Sequence, residues 1–279
     1  MLERLLEVIT PRPAGGDCFS GENMHPQGFR VYGGQVLAQA ANAAQATVDP
    51  ERVLHSLHAY FLRPGDTGQP ITLEVERARD GGSFNSRRVV AQQRGKPILV
   101  SSLSFQTPCD GLSFQADMPV VPPPESLISE RQRALDEGHL DEDFMITTGE
   151  DIDMRMVEPI DWFNPVQQQG LLHAWMRSNG PMPDDPNLHR AMLVYFSDCL
   201  LLDAGLIQHG LAYQDRRLQI ASLDHALWFH DSFRADEWLL QVTELERNSA
   251  GRSLVRGRFF TRDGVHVATL MQQGLIRFR

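Results

Sequence analysis

Residues 32–48, YGGQVLAQAANAAQATV, and residues 189–206, HRAMLVYFSDCLLLDAGL, decide the fold, because each reads as a helix and each is followed by the same series of strand-like runs. From Gly34 to about Val48 the chain is rich in Ala, Leu and Gln with no internal Pro or Gly, a composition that favours helix. Behind it come VLHSLHAYFLRPGD (53–66), PITLEVERARDGGSF (70–84), SRRVVAQQRG (86–95) and KPILVSSLSFQ (96–106). Behind the second helix come LQIASLDHALWFHDSF (218–233), EWLLQVTELERNSAG (237–251), SLVRGRFFTRDG (253–264) and VHVATLMQQGLIRF (265–278). The interval from Phe61 to Gly95 matches that from Phe229 to Gly264 to within one residue, which supports a true duplication. Turn signals at RPGD, DGG and RGKP leave only short connections, so neighbouring strands form an antiparallel meander.

Working outward, residues 1–10 favour a short helix ended by Pro11 and Pro13, and GDCFSG (16–21) reads as a short edge strand. The stretch MPVVPPPESL (118–127) cannot hold a regular ladder. SERQRALDEGHLDEDF (129–144) reads as one exposed charged helix, and acidic residues dominate from there to Glu158. LLHAWMRSNG (171–180) is the opening strand of the second unit, and PMPDDPNLH (181–189) turns into its helix with Asp184 and Asp185 near the positive end. The expected organisation is α+β: an N-terminal unit over 1–107, a linker over 108–158 and a C-terminal unit over 159–279, each unit a long helix on a curved antiparallel sheet.

With 279 residues, 42% of them hydrophobic and 22% charged, the chain has the composition of an ordinary globular protein with ample core. A net charge of −10 without a basic stripe argues against a nucleic-acid partner, while leaving room for a small anionic substrate held by local Arg residues. Three cysteines, Cys18, Cys109 and Cys199, with no close pair imply neither a disulfide framework nor a zinc knuckle, and point to a reducing compartment. The N-terminus lacks the basic start and apolar core of a signal peptide, and no apolar run is long enough to span a membrane. The ending IRFR is not a peroxisomal address, so a cytoplasmic location is expected.

Polar residues in apolar surroundings cluster in the second copy. Asp198 falls mid-helix on a face shared with Val194, Tyr195, Leu201 and Leu202, where an inward carboxylate needs hydrogen-bond partners. Alternation places Ser222 with Ile220, Asp224 and Ala226, and His225 on the opposite face with Leu223 and Leu227. Gln272 shares the apolar strand face of Ala268, Leu270, Gly274 and Ile276, although its neighbour Gln273 competes for the inward position. No G-x-S-x-G elbow exists, so Ser222 is a poor acyl-enzyme nucleophile. A carboxylate, a hydroxyl and an amide can instead hold one water for attack on an activated carbonyl, with no metal and no cofactor. Elsewhere, GGQ (33–35) admits close backbone approach at a helix N-terminus, Arg87 beside the turn in GGSFNSRR is a candidate for phosphates, and His55, on the face opposite His58, is a candidate for the substrate cleft. The competing readings are a solvated hairpin for Arg87 and a core or surface histidine for His55.

The words VYGGQVLAQA, LHSLHAYFLRPGD, FSDCLLL, QIASLDHALWFH and MQQGLIR, in that order, make the chain resemble the acyl-CoA thioesterase II family over nearly its whole length. The resemblance implies a double hotdog fold, the two units building within one chain what single hotdogs build from two. It also implies hydrolysis of medium- to long-chain fatty acyl-CoA to fatty acid and CoA, and association of chains into dimers or tetramers. In that family a helix Asp, a strand Ser or Thr and a last-strand Gln activate water, which maps onto Asp198, Ser222 and Gln272, with Gly33, Gly34, His55 and Arg87 as substrate-binding candidates. Two alternatives remain at this point: an enoyl-CoA hydratase or dehydratase, which needs a His to converge on Asp198, and an acyl-CoA-binding module without turnover.

Overall fold

The computed structural model describes residues 1–24, 30–138 and 149–279. In the first half these comprise α1 (Leu2–Ile9), a hairpin of β1 (Arg12–Gly15) and β2 (Cys18–Gly21), α2 (Gly33–Gln45), and the meander β3 (Val53–Phe61), β4 (Ile71–Asp80), β5 (Phe84–Gln93) and β6 (Lys96–Gln106). In the second half β7 (Ile152–Met156) and β8 (Leu171–Ser178) precede α4 (Pro186–Phe196) and α5 (Leu201–Ile207). The meander β9 (Leu218–Phe229), β10 (Leu239–Ser249), β11 (Arg252–Thr261) and β12 (His266–Phe278) closes the chain. Between the halves lies a short α3 (Glu130–Asp136).

These strands form a single 12-stranded antiparallel sheet in the order β1-β2-β4-β5-β6-β3-β9-β12-β11-β10-β8-β7. The order of the first six is mirrored by the last six, so the sheet carries the duplication in its topology. The halves join where β3 pairs with β9, in a register that sets Ser56 opposite Trp228, Leu57 opposite Leu227 and Ala59 opposite His225. Leu57, Ala59, Leu227 and His225 are all buried at that seam. Each fully buried Leu there contributes about 1.5–3 kcal/mol, so the junction is core rather than a linker contact.

The helices cover one face of the sheet. Small residues let α2 and α4 approach closely: Ala38, Ala41 and Ala44 of α2 are buried, and a Cβ on Gly34 would collide with the Tyr195 carbonyl. Asp185 caps α4 by accepting the Asn187 N–H at 2.9 Å, in line with the acidic residues read at this N-terminus.

The stretch 189–206 departs from the single helix expected of it. α4 ends at Phe196 and α5 starts at Leu201, with Leu200 between them in the left-handed region at φ 63°. A non-glycine residue held there costs on the order of 1 kcal/mol. Tertiary partners offset that cost: the Tyr195 carbonyl accepts the Tyr32 hydroxyl at 2.9 Å and the Cys199 carbonyl accepts Gln241 Nε2 at 2.9 Å.

The connection also differs from expectation. Its first part runs along the second half, where Gln115 bonds Gly264 O and the His266 N–H, and Trp175 donates to Pro122 O. α3 accounts for the start of the charged segment, and residues 139–144 lie outside the described residues. Residues 152–156, assigned to the linker by their acidic surroundings, form β7, which pairs with β8 as the last strand of the sheet. Its alternation of buried Ile152, Met154 and Met156 was masked in the sequence by Asp153 and Arg155, which pair with one another. Among the described residues no helix is long and apolar enough to cross a membrane.

Candidate active site

The break between α4 and α5 turns Asp198 toward the first half of the chain. Its Oδ2 accepts the Gly34 N–H at 3.0 Å, so the carboxylate sits on the positive end of α2. Both glycines serve this contact: a Cβ on Gly33 would lie 2.5 Å from Asp198 Oδ2 and 2.9 Å from Phe61 Cε1. Gly33 and Gly34 therefore build the seat of the carboxylate. On its other side Oδ1 accepts the Ser222 hydroxyl at 3.4 Å, and Ser222 Oγ accepts Gln272 Nε2 at 3.2 Å.

Ser222 reaches this position through an irregularity in β9. The register with β12 sets Gln272 opposite His225 and Gln273 opposite Asp224, then skips Leu223 to set Gly274 opposite Ser222. This β-bulge reverses the alternation, so Ser222 joins His225 on the buried face instead of Asp224 and Ala226. The Gln273 N–H released by the bulge donates to Asp224 Oδ1 at 3.0 Å. Gln272, at 1% exposure, is the inward member of the pair. Gly274 leaves space for Leu202, whose side chain occupies the place a Cβ would take.

Burial raises the Asp198 carboxyl to about 6, against the partly compensating pull of Gln272, the Gly34 amide, Arg30 and Ser222. A carboxylate poised there is ionised at neutral pH and still basic enough to take a proton from water. Asp203, the neighbouring acid, is also raised to about 6 by burial, but it lies in the first turn of α5 and accepts the Tyr213 hydroxyl at 3.0 Å.

Behind Gln272 the polar chain continues into the core. Its Oε1 lies 2.6 Å from His225 Nδ1, and His225 Nε2 lies 3.0 Å from Ser197 Oγ. His225 is buried, and burial lowers its pKa to about 4, so the ring is neutral. Ser197 was not picked out from the sequence, and His225 was weighed only as a histidine the hydratase alternative would need, since strict alternation separates it from Ser222. The small polar run Ser197-Asp198-Cys199, interrupting an otherwise apolar helix, was the signal available.

The structure thus brings Asp198, Ser222, Gln272, Gly33 and Gly34 together and leaves two candidates elsewhere. A bulge between Leu54 and Ser56 turns His55 to the outer sheet face, where its Nε2 meets Ser104 Oγ at 2.8 Å and its ring meets Phe84. The same bulge brings it to the face of the exposed His58, against the expected opposition of the two. Arg87 is not a surface cation for phosphates. At 1% exposure it donates to Thr47 Oγ1 and O and pairs with Asp80 at 2.6 Å, fastening the end of α2 to β5.

Comparison with known proteins shows the family of the chain. The acyl-CoA thioesterase family profile matches residues 152–275, and the profile of the acyl-CoA thioesterase N-terminal domain matches residues 21–106. Acyl-CoA thioesterase 2 of Haemophilus influenzae is 34% identical over 285 aligned residues, covering 100% of this chain and 98% of the relative. This chain belongs to the acyl-CoA thioesterase family. Human acyl-coenzyme A thioesterase 8 is likewise 34% identical, over 98% of the thioesterase described here and 88% of its own length. A solved acyl-CoA thioesterase II from Mycobacterium marinum superposes with a TM-score of 0.82 at 39% identity, over 99% of this chain and 98% of that one. The fold of the thioesterase is the double hotdog, and the enzyme is a thioester hydrolase.

Proposed function

We propose that the enzyme hydrolyses medium- to long-chain fatty acyl-CoA to fatty acid and CoA by a water that Asp198 deprotonates, with no acyl-enzyme. The single observation that carries this reading is the seating of Asp198 between the N-terminus of α2 and the Ser222–Gln272 pair, with its carboxyl raised to about 6. The water oxygen attacks the thioester carbonyl carbon as its proton passes to Asp198. The oxyanion so formed benefits from the positive end of α2, and its collapse breaks the C–S bond and releases CoA thiolate, which recovers the proton. Ser222 and Gln272 orient the carboxylate and the water. The apolar side chains of Phe61 and Leu202 beside the site support an aliphatic acyl group.

Release of free thiol from decanoyl- and palmitoyl-CoA tests the reading. Asp198→Ala is expected to lower kcat by roughly 10² or more with the fold intact, and near wild-type turnover in that variant overturns the assignment. The hydratase alternative needs an imidazole against substrate. His55 lies on the outer face, and His225 reaches Asp198 through the intervening Gln272.

A cytoplasmic setting is supported by free thiols at Cys18, Cys109 and Cys199. Association of chains is supported by the exposed apolar side chains Leu112, Phe114 and Val120 of the connecting segment. A monomeric mass in sedimentation would overturn that association.

A further inference from the structure

The proposed mechanism leaves a buried histidine without a task. His225 stands directly behind Gln272, and its two ring nitrogens end a polar chain that runs Ser197, His225, Gln272, Ser222, Asp198. We infer that His225 is a positioning residue for hydrolysis: held by Ser197 in the tautomer with the proton on Nδ1, it fixes the Gln272 amide with its NH₂ toward Ser222. The inference rests on the proposed role of Asp198.

A Gln side chain fits its site in two orientations that differ only in which end carries hydrogens. With NH₂ toward Ser222, the hydroxyl oxygen accepts from the amide and its single proton goes to Asp198, stabilising the carboxylate. With the carbonyl toward Ser222, that proton is drawn to Gln272 and Asp198 loses a donor. The Asp198 carboxylate in front, which the Gln272 side chain also reaches, favours the NH₂ end, and His225 behind reinforces that setting. If His225 Nδ1 carries hydrogen, only the amide oxygen can face it. That requires Nε2 to be a bare acceptor, which Ser197 Oγ satisfies at 3.0 Å.

The opposite polarity is also chemically complete. Ser197 Oγ lies 2.7 Å from Val194 O and has one proton to give. If that proton goes to Val194, Nε2–H donates to Ser197, and the bare Nδ1 accepts from a reversed Gln272 amide. The structure sets Gln272 Oε1 toward His225 Nδ1 and Gln272 Nε2 toward Ser222 Oγ, and an amide oxygen only accepts, so Nδ1 carries the hydrogen. Exclusion of water holds the ring neutral, so the relay keeps one polarity across the working pH range. In this polarity the Ser197 hydroxyl, 2.7 Å from Val194 O and 3.0 Å from His225 Nε2, turns its proton to Nε2 and backs the setting of the Gln272 amide.

The experiment pairs a spectrum with a mutant cycle on the full-length enzyme. In ¹⁵N-histidine-labelled protein, with the resonance assigned by its loss in His225→Asn, His225 is expected to show a protonated Nδ1 and an unprotonated Nε2. The reverse tautomer overturns the inference. Ser197→Ala, which leaves Nε2 without its donor, is expected to lower kcat for decanoyl-CoA about 10-fold with KM changed less than about 2-fold. His225→Phe, which keeps the ring and loses both bonds, is expected to cost roughly 10–10² in kcat, yet to add nothing in a Gln272→Ala background. Losses that multiply across that cycle overturn a role through Gln272, as does full activity of Ser197→Ala. If His225→Phe fails to fold, the wild-type tautomer and Ser197→Ala still decide. Failure of the Asp198 reading is seen separately, in the rate of Asp198→Ala; failure of this inference is a wrong tautomer or an additive cycle while that rate remains low.

Discussion

Asp198 is an acid placed at a cost to stability. Its folded pKa of about 6 stands above the ordinary aspartate value of 3.8, so the folded protein holds that proton more tightly than the unfolded chain. The cost of ionising it is absent below about pH 4 and fully present above about pH 6, opposite to the behaviour of a salt-bridged carboxylate. Asp198→Asn, which can still accept from Gly34, is expected to be more stable than wild type by roughly 1–3 kcal/mol at pH 8. That gain shrinks toward zero at pH 4, as urea unfolding at the two pH values would show. A gain that persists at pH 4 would mean the stabilisation comes from packing.

Residue identity was the most legible level of the sequence. A carboxylate, a hydroxyl and an amide among apolar neighbours stand out without coordinates, and these three do meet. Their orientation was not legible, because it depends on two local departures from periodicity, the break at Ser197–Leu200 and the skipped Leu223. Leu200 carries no propensity for its left-handed φ, and Leu223 no mark of a bulge. Both are imposed by what packs against them.

At the scale of the element, α2 does two jobs at its two ends. Its N-terminus holds the Asp198 carboxylate, and its C-terminal end is fastened through Thr47 to Arg87. Gly33→Ala should push the carboxylate off its seat, since the added Cβ meets both Asp198 and Phe61. A displacement near 1 Å is expected to lower kcat by about 10² while the protein stays folded. Arg87→Met acts at the other end and should destabilise by about 2–4 kcal/mol, leaving Thr47 O without its donor, while KM for acyl-CoA stays unchanged. A raised KM with unaltered stability would restore Arg87 as a phosphate ligand. The sequence suggested the exposed reading because Arg87 neighbours a Gly-Gly turn; its burial follows from facing α2, which only the packed structure reveals.

At the scale of the molecule, the candidate site lies across the junction of the two units and not inside the second alone. The polar chain from Ser197 to Gln272 belongs to the second half, but the amide that caps Asp198 and the glycine that makes room for it come from the first. The first copy keeps Ala41 and Leu103 as buried apolar residues and contributes the positive end of its helix. Because the sheet is continuous through β3 and β9, the chain is expected to unfold in one calorimetric transition whose van't Hoff and calorimetric enthalpies agree. Two resolved transitions would show that the seam is weaker than its buried Leu57–Leu227 pair implies. The repeat was readable from the matched intervals, whereas the joining of its two units within one fold was implied by the family resemblance. A contribution of Gly33 and Gly34 to the cleft was expected, but their seating of the Asp198 carboxylate was not, since no pattern within either copy refers to the other.

The most direct test of the account is the pH dependence of kcat/KM for decanoyl-CoA in wild type, Asp198→Asn and Asp203→Asn. Both acids lie near 6, but only Asp198 is placed to take the proton. Wild type and Asp203→Asn should share an acidic limb that rises tenfold per pH unit and levels off above about pH 6, and Asp198→Asn should be at least about 10²-fold slower without that limb. An acidic limb that survives in Asp198→Asn at near wild-type rate, or that vanishes in Asp203→Asn, would contradict the assignment of Asp198 as the base.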